Sequence, residues 1–165
     1  MMVLLGAAAV VLSGCAPDPG GGASATAQDA APPAAPDPSG HPRPDLSGRK
    51  RFGVASFYAK LFAGRKMADG TRMDPHGDNA ASRTLPLGTT ARVTNLATGQ
   101  SASVTIQDRG PYVTGRIVDL SPSTAREIGI TAASGVVEVQ VAPIAVPQPD
   151  GSVKAGVAAP DAARH

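Results

Sequence analysis

Prolines decide where this chain can fold. Eight of them fall between residues 16 and 51, among alanines and glycines and almost no large apolar side chains. Such a composition cannot bury enough surface to offset the entropy of ordering. The stretch therefore reads as a tether, whose 36 residues would span about 35 Å as a flexible coil and about 110 Å as stretched polyproline II. It ends on Arg49, Lys50 and Arg51, a solvated boundary whose three cations also suit an anionic lipid or polymer. Residues 143–165 repeat the pattern with Pro143, Pro147, Pro149 and Pro160, and read as a disordered tail. What remains, residues 52–142, is enough for one modest core.

Strand signals fill that middle part. GVASFYA (53–59), TTARVTNL (89–96), SASVTI (101–106), GRIVDL (115–120) and GVVEVQVA (135–142) are short β-branched runs set off by Gly, Pro, Asn and Asp. Residues 97–100 join two of them as a tight hairpin. One short helix is marked by Ser121 as N-cap, Pro122 at its first position, Ala125 and Ile128 facing inward and Gly129 as its stop. With no tryptophan and five other aromatics in the whole chain, the core is expected to be built from Val, Ile, Leu and Ala. The fold class is mainly β, and closing the sheet into a barrel removes its edges. Composition alone permits several small barrels or sandwiches.

The N-terminus opens MMVLLGAAAVVLSGC, with an apolar run too short to span a bilayer as a helix. It reads as a signal peptide over residues 1–15. LSGC at 12–15 resembles the bacterial lipobox, which implies lipidation of Cys15 as the new N-terminal residue. Cys15 is the only cysteine, so no intrachain disulfide can form. Ala16 follows where an aspartate would signal inner-membrane retention. The expected location is the bacterial cell envelope, lipid-anchored, and in a Gram-negative host the outer membrane facing the periplasm.

The middle part carries nine Lys and Arg against seven Asp and Glu. This near balance, without interleaved aromatic and basic residues, argues against nucleic-acid binding. Chemistry is expected around IQDRGPYVTGRIVDL (106–120), where turn-forming glycines present Asp108 between two apolar strands, with Arg109 and Arg116 near the same loop. As a general acid Asp108 must be buried enough to hold a proton, and cations within about 4–6 Å would oppose that. Strand alternation turns Arg109 to the opposite face. The simplest structural reading is that Asp108 caps the tight DRGP turn through backbone amides. Asp69, Asp74, His76 and Asp78 form a polar loop in MADGTRMDPHGD whose spacing matches no well-marked metal pattern, so no metal and no cofactor is expected. Asp119 reads as structural, bonding a turn or the helix cap. Of Phe57 and Tyr58, neighbours on a strand, one is expected in the core and the other on the outer face.

Taken together, GVASFYA, ASRTLPLGTTARVTNLATG (81–99) and DRGP (108–111) resemble the rare lipoprotein A (RlpA) family over roughly residues 52–130. The resemblance implies a six-stranded double-psi β-barrel with one or two short helices and disordered tails. It also implies endolytic lytic transglycosylase activity on the peptidoglycan backbone during wall remodelling and septation, with division-site proteins as partners. In active relatives a glutamate follows a T-A-[N/S]-G motif, a histidine ends A-A-H and an aspartate opens D-R-G-P. Here Thr71 and Ser82 stand at the first two positions and Asp108 at the third. Asp108 is therefore the expected catalytic residue. Thr71, Ser82, Arg83, Thr84, Tyr58, Arg109 and Arg116 are expected to meet the glycan through hydrogen bonds or stacking. The alternative is a catalytically impaired peptidoglycan-binding lipoprotein of the same fold, and a third reading is expansin-like loosening of polymer contacts without cutting.

Overall fold

The computed structural model describes residues 42–160. The expected signal peptide, Cys15 and the expected tether up to residue 41 lie outside the described residues. Seven strands follow in order: β1 (Arg51–Phe57), β2 (Asn79–Ala81), β3 (Thr90–Asn95), β4 (Ser101–Asp108), β5 (Arg116–Leu120), β6 (Val137–Pro147) and β7 (Val153–Ala155). A 3-10 turn spans Lys60–Phe62 and the helix α1 spans Pro122–Glu127.

Six strands close a ring in the order β1-β5-β2-β4-β3-β6, with β6 pairing back onto β1 and β7 added outside β6. The pairs β1–β5 and β2–β4 are parallel and the other ring pairs antiparallel. This is the double-psi β-barrel. Ring closure leaves none of the six with a free edge.

The alternation in the sequence is what fills the interior. Ala91, Val93 and Asn95 of β3 and Ala102, Val104 and Ile106 of β4 point inward at every second position. All but Asn95, whose side-chain amide donates to the Ile128 carbonyl at 2.8 Å, meet Val118, Leu120, Val139, Val141, Ile128 and Ile130 in one apolar cluster. Burying a side chain of this size stabilises by about 1.5–3 kcal/mol, so a handful of Val, Ile and Leu carries a barrel that has no tryptophan. The helix is built as its sequence specified: Ser121 Oγ accepts from the Thr124 amide at 3.2 Å, Ala125 and Ile128 are buried, and Gly129 ends the turn at φ 78°.

Two boundaries differ from the sequence reading. The sheet does not stop at residue 142: β6 runs through Pro143 to Pro147, and β7 pairs with it at Ala145–Ala155, Val146–Lys154 and Pro147–Val153. Prolines usually break a ladder because they lack an N–H. Here the β3–β6 register shifts between Thr90 and Ala91, opposite Ala145 and Pro143, so the ladder is already irregular where Pro143 sits. The carbonyls of Pro143 and Ile144 are taken instead by the amides of Ala158 and Gly156. Gly156 is required there, because a Cβ would lie 2.2 Å from the Pro143 oxygen.

The second boundary is the end of the tether. The Asp45 amide donates to the Thr84 carbonyl at 2.7 Å, and the Asp45 carboxylate accepts from Arg51 Nε at 2.7 Å. Gly48 accepts from the Val157 amide at 2.9 Å, so the two ends of the described chain are bound to each other. Of the three basic residues, Arg51 opens β1 and the Lys50 ammonium sits 5.7 Å from the Phe52 ring centroid. Composition missed this because Asp45 and Arg51 find partners far along the chain.

Candidate functional site

Asp108 is the last residue of β4, where the chain leaves the barrel through Gly110 and Pro111. Gly110 has φ 135°, a conformation that favours glycine, and the Gly110–Pro111 bond is cis. The half-buried carboxylate is held by three donors. Tyr58 Oη donates to Oδ2 at 3.0 Å, and the Ala68 and Arg109 amides donate to Oδ1 at 3.0 and 2.9 Å. The cap on its own turn, through Arg109 N, is present, but it is one contact of three and leaves Oδ2 to the phenol.

Among the described residues no cation pairs with this group. The described salt bridges are Arg51–Asp45 and Arg116–Asp119. Arg109 turns away, as alternation requires, and its Nη1 donates to the carbonyls of Ser82 and Leu85 at 3.1 and 2.7 Å. Arg116 binds Asp119 and Ser56, and Ser56 Oγ donates to Asp119 Oδ1 at 2.5 Å. Asp119 is thus an ion-paired strand residue, not the turn or cap acceptor that the sequence suggested. The two aspartates flank one residue, Ala81 of β2, which pairs with Asp108 on one side and Asp119 on the other.

Tyr58 follows β1 and reaches the site across the ring. Burial raises its phenol above the usual range, and the charge and hydrogen bond of Asp108 and the charge of Asp119 push it further. The phenol therefore stays neutral and keeps its proton to donate. Its ring packs on Phe62 at 5.8 Å between centroids, tilted by 59°.

A loop from Gly64 to Met73 folds over the end of β4. The Asp69 amide donates to the Gln107 carbonyl at 3.0 Å and the Met67 amide to the Thr71 carbonyl at 2.8 Å, which brings Ala68 onto Asp108. Thr71 is exposed and donates its hydroxyl to Asp69 Oδ1 at 2.7 Å, with Gln107 Nε2 at 3.4 Å from the same hydroxyl. The Asp69 carboxyl is held below its ordinary value: slight burial opposes this, and the hydrogen bonds of the Thr71 hydroxyl and amide outweigh it. A second carboxylate thus stands beside Asp108, one residue from the amide that binds it.

The other expected contacts fall elsewhere in the barrel. Ser82 is buried, and its Oγ accepts from the Leu85 amide at 3.3 Å while its own amide donates to the Asp108 carbonyl at 3.1 Å. Thr84 faces the N-terminal clasp, with Arg51 Nη1 at 3.4 Å from its hydroxyl. Arg83 lies half-buried between them. The DPHGD loop is split between two tasks, since Asp74 accepts from the His76 amide at 2.8 Å and Asp78 from the Thr105 hydroxyl at 2.8 Å. Among the described residues no three His, Cys, Asp or Glu side chains come together as a metal site.

Sequence reasoning singled out Asp108 and the amide cap of its own turn, but not the two distant donors that hold it. Tyr58 lies 50 residues away and Ala68 lies 40 away. Only ring closure brings them in.

The family described as "Lytic transglycolase" matches residues 52–141. The probable endolytic peptidoglycan transglycosylase RlpA of Synechocystis sp. is 51% identical over 88 residues, covering 53% of this chain and 27% of that protein. The endolytic peptidoglycan transglycosylase RlpA of Pasteurella multocida is 50% identical over 97 residues, covering 59% of this chain and 33% of that protein. The protein of the same name from Pseudomonas aeruginosa is 40% identical over 101 residues, covering 61% of this chain and 29% of that protein. The matched region thus spans about a third or less of each of these relatives.

Proposed function

Because the chain belongs to the lytic transglycolase family of double-psi β-barrels, we propose that it cuts the glycan backbone of peptidoglycan between muramyl and glucosaminyl residues, with Asp108 as acid and then base. The observation that carries this is the Asp108 carboxylate, half-buried at a strand end, held by neutral donors and free of any ion pair. The proposal is also supported by the names of the relatives, each an endolytic peptidoglycan transglycosylase.

A lytic transglycosylase needs little equipment. Protonated Asp108 gives its proton to the glycosidic oxygen as the bond from that oxygen to the muramyl C1 breaks. The C6 hydroxyl of the same muramyl ring then bonds to C1 and returns its proton to the carboxylate, closing the 1,6-anhydro ring. No water is consumed, so one carboxyl group serves both halves, unlike a hydrolase with two. Tyr58 suits both states: its hydroxyl donates to the ionised carboxylate and accepts from the protonated one. Asp69, on the exposed loop beside Asp108, is placed to receive hydrogen bonds from glycan hydroxyls. Thr71 and Gln107 orient it.

The test is mass spectrometry of purified sacculi after incubation with the full chain. Anhydromuramyl products are expected. Binding to sacculi without such products would replace the enzyme by a wall-binding protein of the same fold.

The LSGC motif supports a second part of the proposal, that Cys15 is lipidated and anchors the barrel to the envelope, with the outer membrane as its site in a Gram-negative host and division-site proteins as its partners. Among the described residues no helix is long and apolar enough to cross a membrane. Cys15→Ser should release the protein from membranes into the soluble fraction. A variant that sediments as the parent does would overturn the anchor.

A further inference from the structure

Beside the acid lies a cavity of about 320 Å³ that the cutting step does not use. Phe57, Tyr58, Ala125 and Ile130 line it, together with the exposed Lys60 and Arg126. Its volume is roughly ten times the ~30 Å³ that one water molecule occupies in the liquid, enough for a group of about ten heavy atoms. The walls are almost wholly apolar, yet two cations stand on them. Neither Lys60 nor Arg126 enters a salt bridge among the described residues, whose two bridges use Arg51 and Arg116. Tyr58 joins this cavity to the site: its ring lines the cavity and its hydroxyl donates to Asp108 at 3.0 Å. Phe62 braces that ring from the 3-10 turn that also carries Lys60.

An occupant must match apolar walls, two unpaired cations and a place one side chain away from the acid. We propose that the cavity is a subsite for the acidic arm of a muramyl residue next to the bond that is cut. That arm is an ether-linked lactyl group, a methyl and a carboxylate on one carbon, either free or extended through alanine to a glutamyl carboxylate. Its methyl groups fill the apolar space, and its carboxylate meets Lys60 and Arg126 at the mouth. A glucosaminyl residue has no such arm, so the subsite sets which sugar lies on this side of Asp108 and therefore the direction in which a strand is threaded. The inference rests on the glycan-cutting reading, but it concerns recognition and is tested without turnover.

The experiment is a titration of the full chain, labelled with nitrogen-15, with N-acetylmuramic acid, muramyl dipeptide and N-acetylglucosamine, following backbone amide shifts. The muramyl compounds should move the amides of Ile130, Thr131 and Ala132, and N-acetylglucosamine should leave them in place. Whichever muramyl compound binds more tightly identifies the free or the extended arm. Binding should weaken about fivefold in Lys60→Gln/Arg126→Gln, the scale expected for two exposed ion pairs. It should vanish in Ala132→Phe, which fills the mouth from an exposed position and leaves the core intact. Equal shifts with N-acetylglucosamine, or unchanged affinity in the double variant, would overturn the subsite. Neither result bears on Asp108, whose role is decided by the anhydromuramyl products.

Discussion

Asp108 and Asp119 flank the same residue of β2, yet the barrel surrounds them differently. Asp119 is tied to a guanidinium and a serine, with its side chain 15% exposed and that of Arg116 25% exposed. Asp108 has only a phenol and two amides. A carboxylate locked to a half-buried cation and to a serine of β1 ties strands together. One held by neutral donors has, among the described residues, no cation bound to it, which is the environment the proposed acid calls for. Nearness in sequence did not decide this: Arg109 adjoins Asp108 and turns its guanidinium to backbone carbonyls instead.

The largest expected effect breaks the comparison on the chemical side. Asp108→Asn keeps size and much of the turn but removes the transferable proton. Anhydromuramyl release should fall on the order of 100-fold or more while binding to sacculi persists. Activity that survives the change would move the acid elsewhere, with Asp69 the next group to test.

On the structural side, Arg116→Met leaves Asp119 partly buried and without its cation. The cost should be about 2 kcal/mol in urea unfolding at pH 7. Asp119→Asn in the same background should recover part of it, because the stranded charge is then gone. Additive losses in that cycle would mean that the pair is not coupled.

Tyr58→Phe sharpens the comparison by removing one neutral donor and keeping the ring against Phe62. Cutting should drop roughly tenfold, the scale of about 1.4 kcal/mol for one hydrogen bond to a charged group. Unchanged rates would show that the phenol only fills space.

Asp45 supplies a third case, a carboxylate whose side chain is 11% exposed but whose cation lies at the surface. Burial would raise its carboxyl, but hydrogen bonds from Ser47 and the charge and hydrogen bond of Arg51 more than offset this and leave it below 3.8. A depressed folded value stabilises the native state above the unfolded value near 3.8, and that stability is lost as pH falls through the folded value. Because the Arg51 side chain is 46% exposed, screening keeps the effect of Asp45→Asn below about 1 kcal/mol at pH 7. The difference from the parent should shrink in urea melts taken below pH 3. A constant difference there would mean that Asp45 acts through packing and not charge.

Much of this molecule was legible before any coordinates. Four of the β-branched runs are strands close to the expected limits, and 135–142 begins a fifth. The helix from Pro122 carries its own start and stop signals, and DRGP marks Asp108 through local turn chemistry. β2 was not legible, because Asn79–Ala81 is three residues long, too short for alternation to register. β7 was hidden by the prolines that flank it, since composition treats a proline on an irregular ladder like one in a free coil. The roles of Arg109 and Arg116 were only partly legible. Alternation turned Arg109 from Asp108, but a spacing of three on a strand gives no reason to expect Arg116 to bind Asp119.

What the amino-acid order determined by itself is everything that acts within a few residues: the strand runs, the helix cap, the turn that presents Asp108 and the apolar alternation that gives the sheet a face to bury. What only the tertiary structure decided is the environment of the two aspartates. Tyr58, Ala68, Ser56 and Ala81 reach them across the ring, from 27 to 63 residues away in the chain. Whether a carboxylate is tied to a cation or held by neutral donors depends on the sum of such contacts, and contacts across a closed barrel are set by register and closure, which no local pattern encodes.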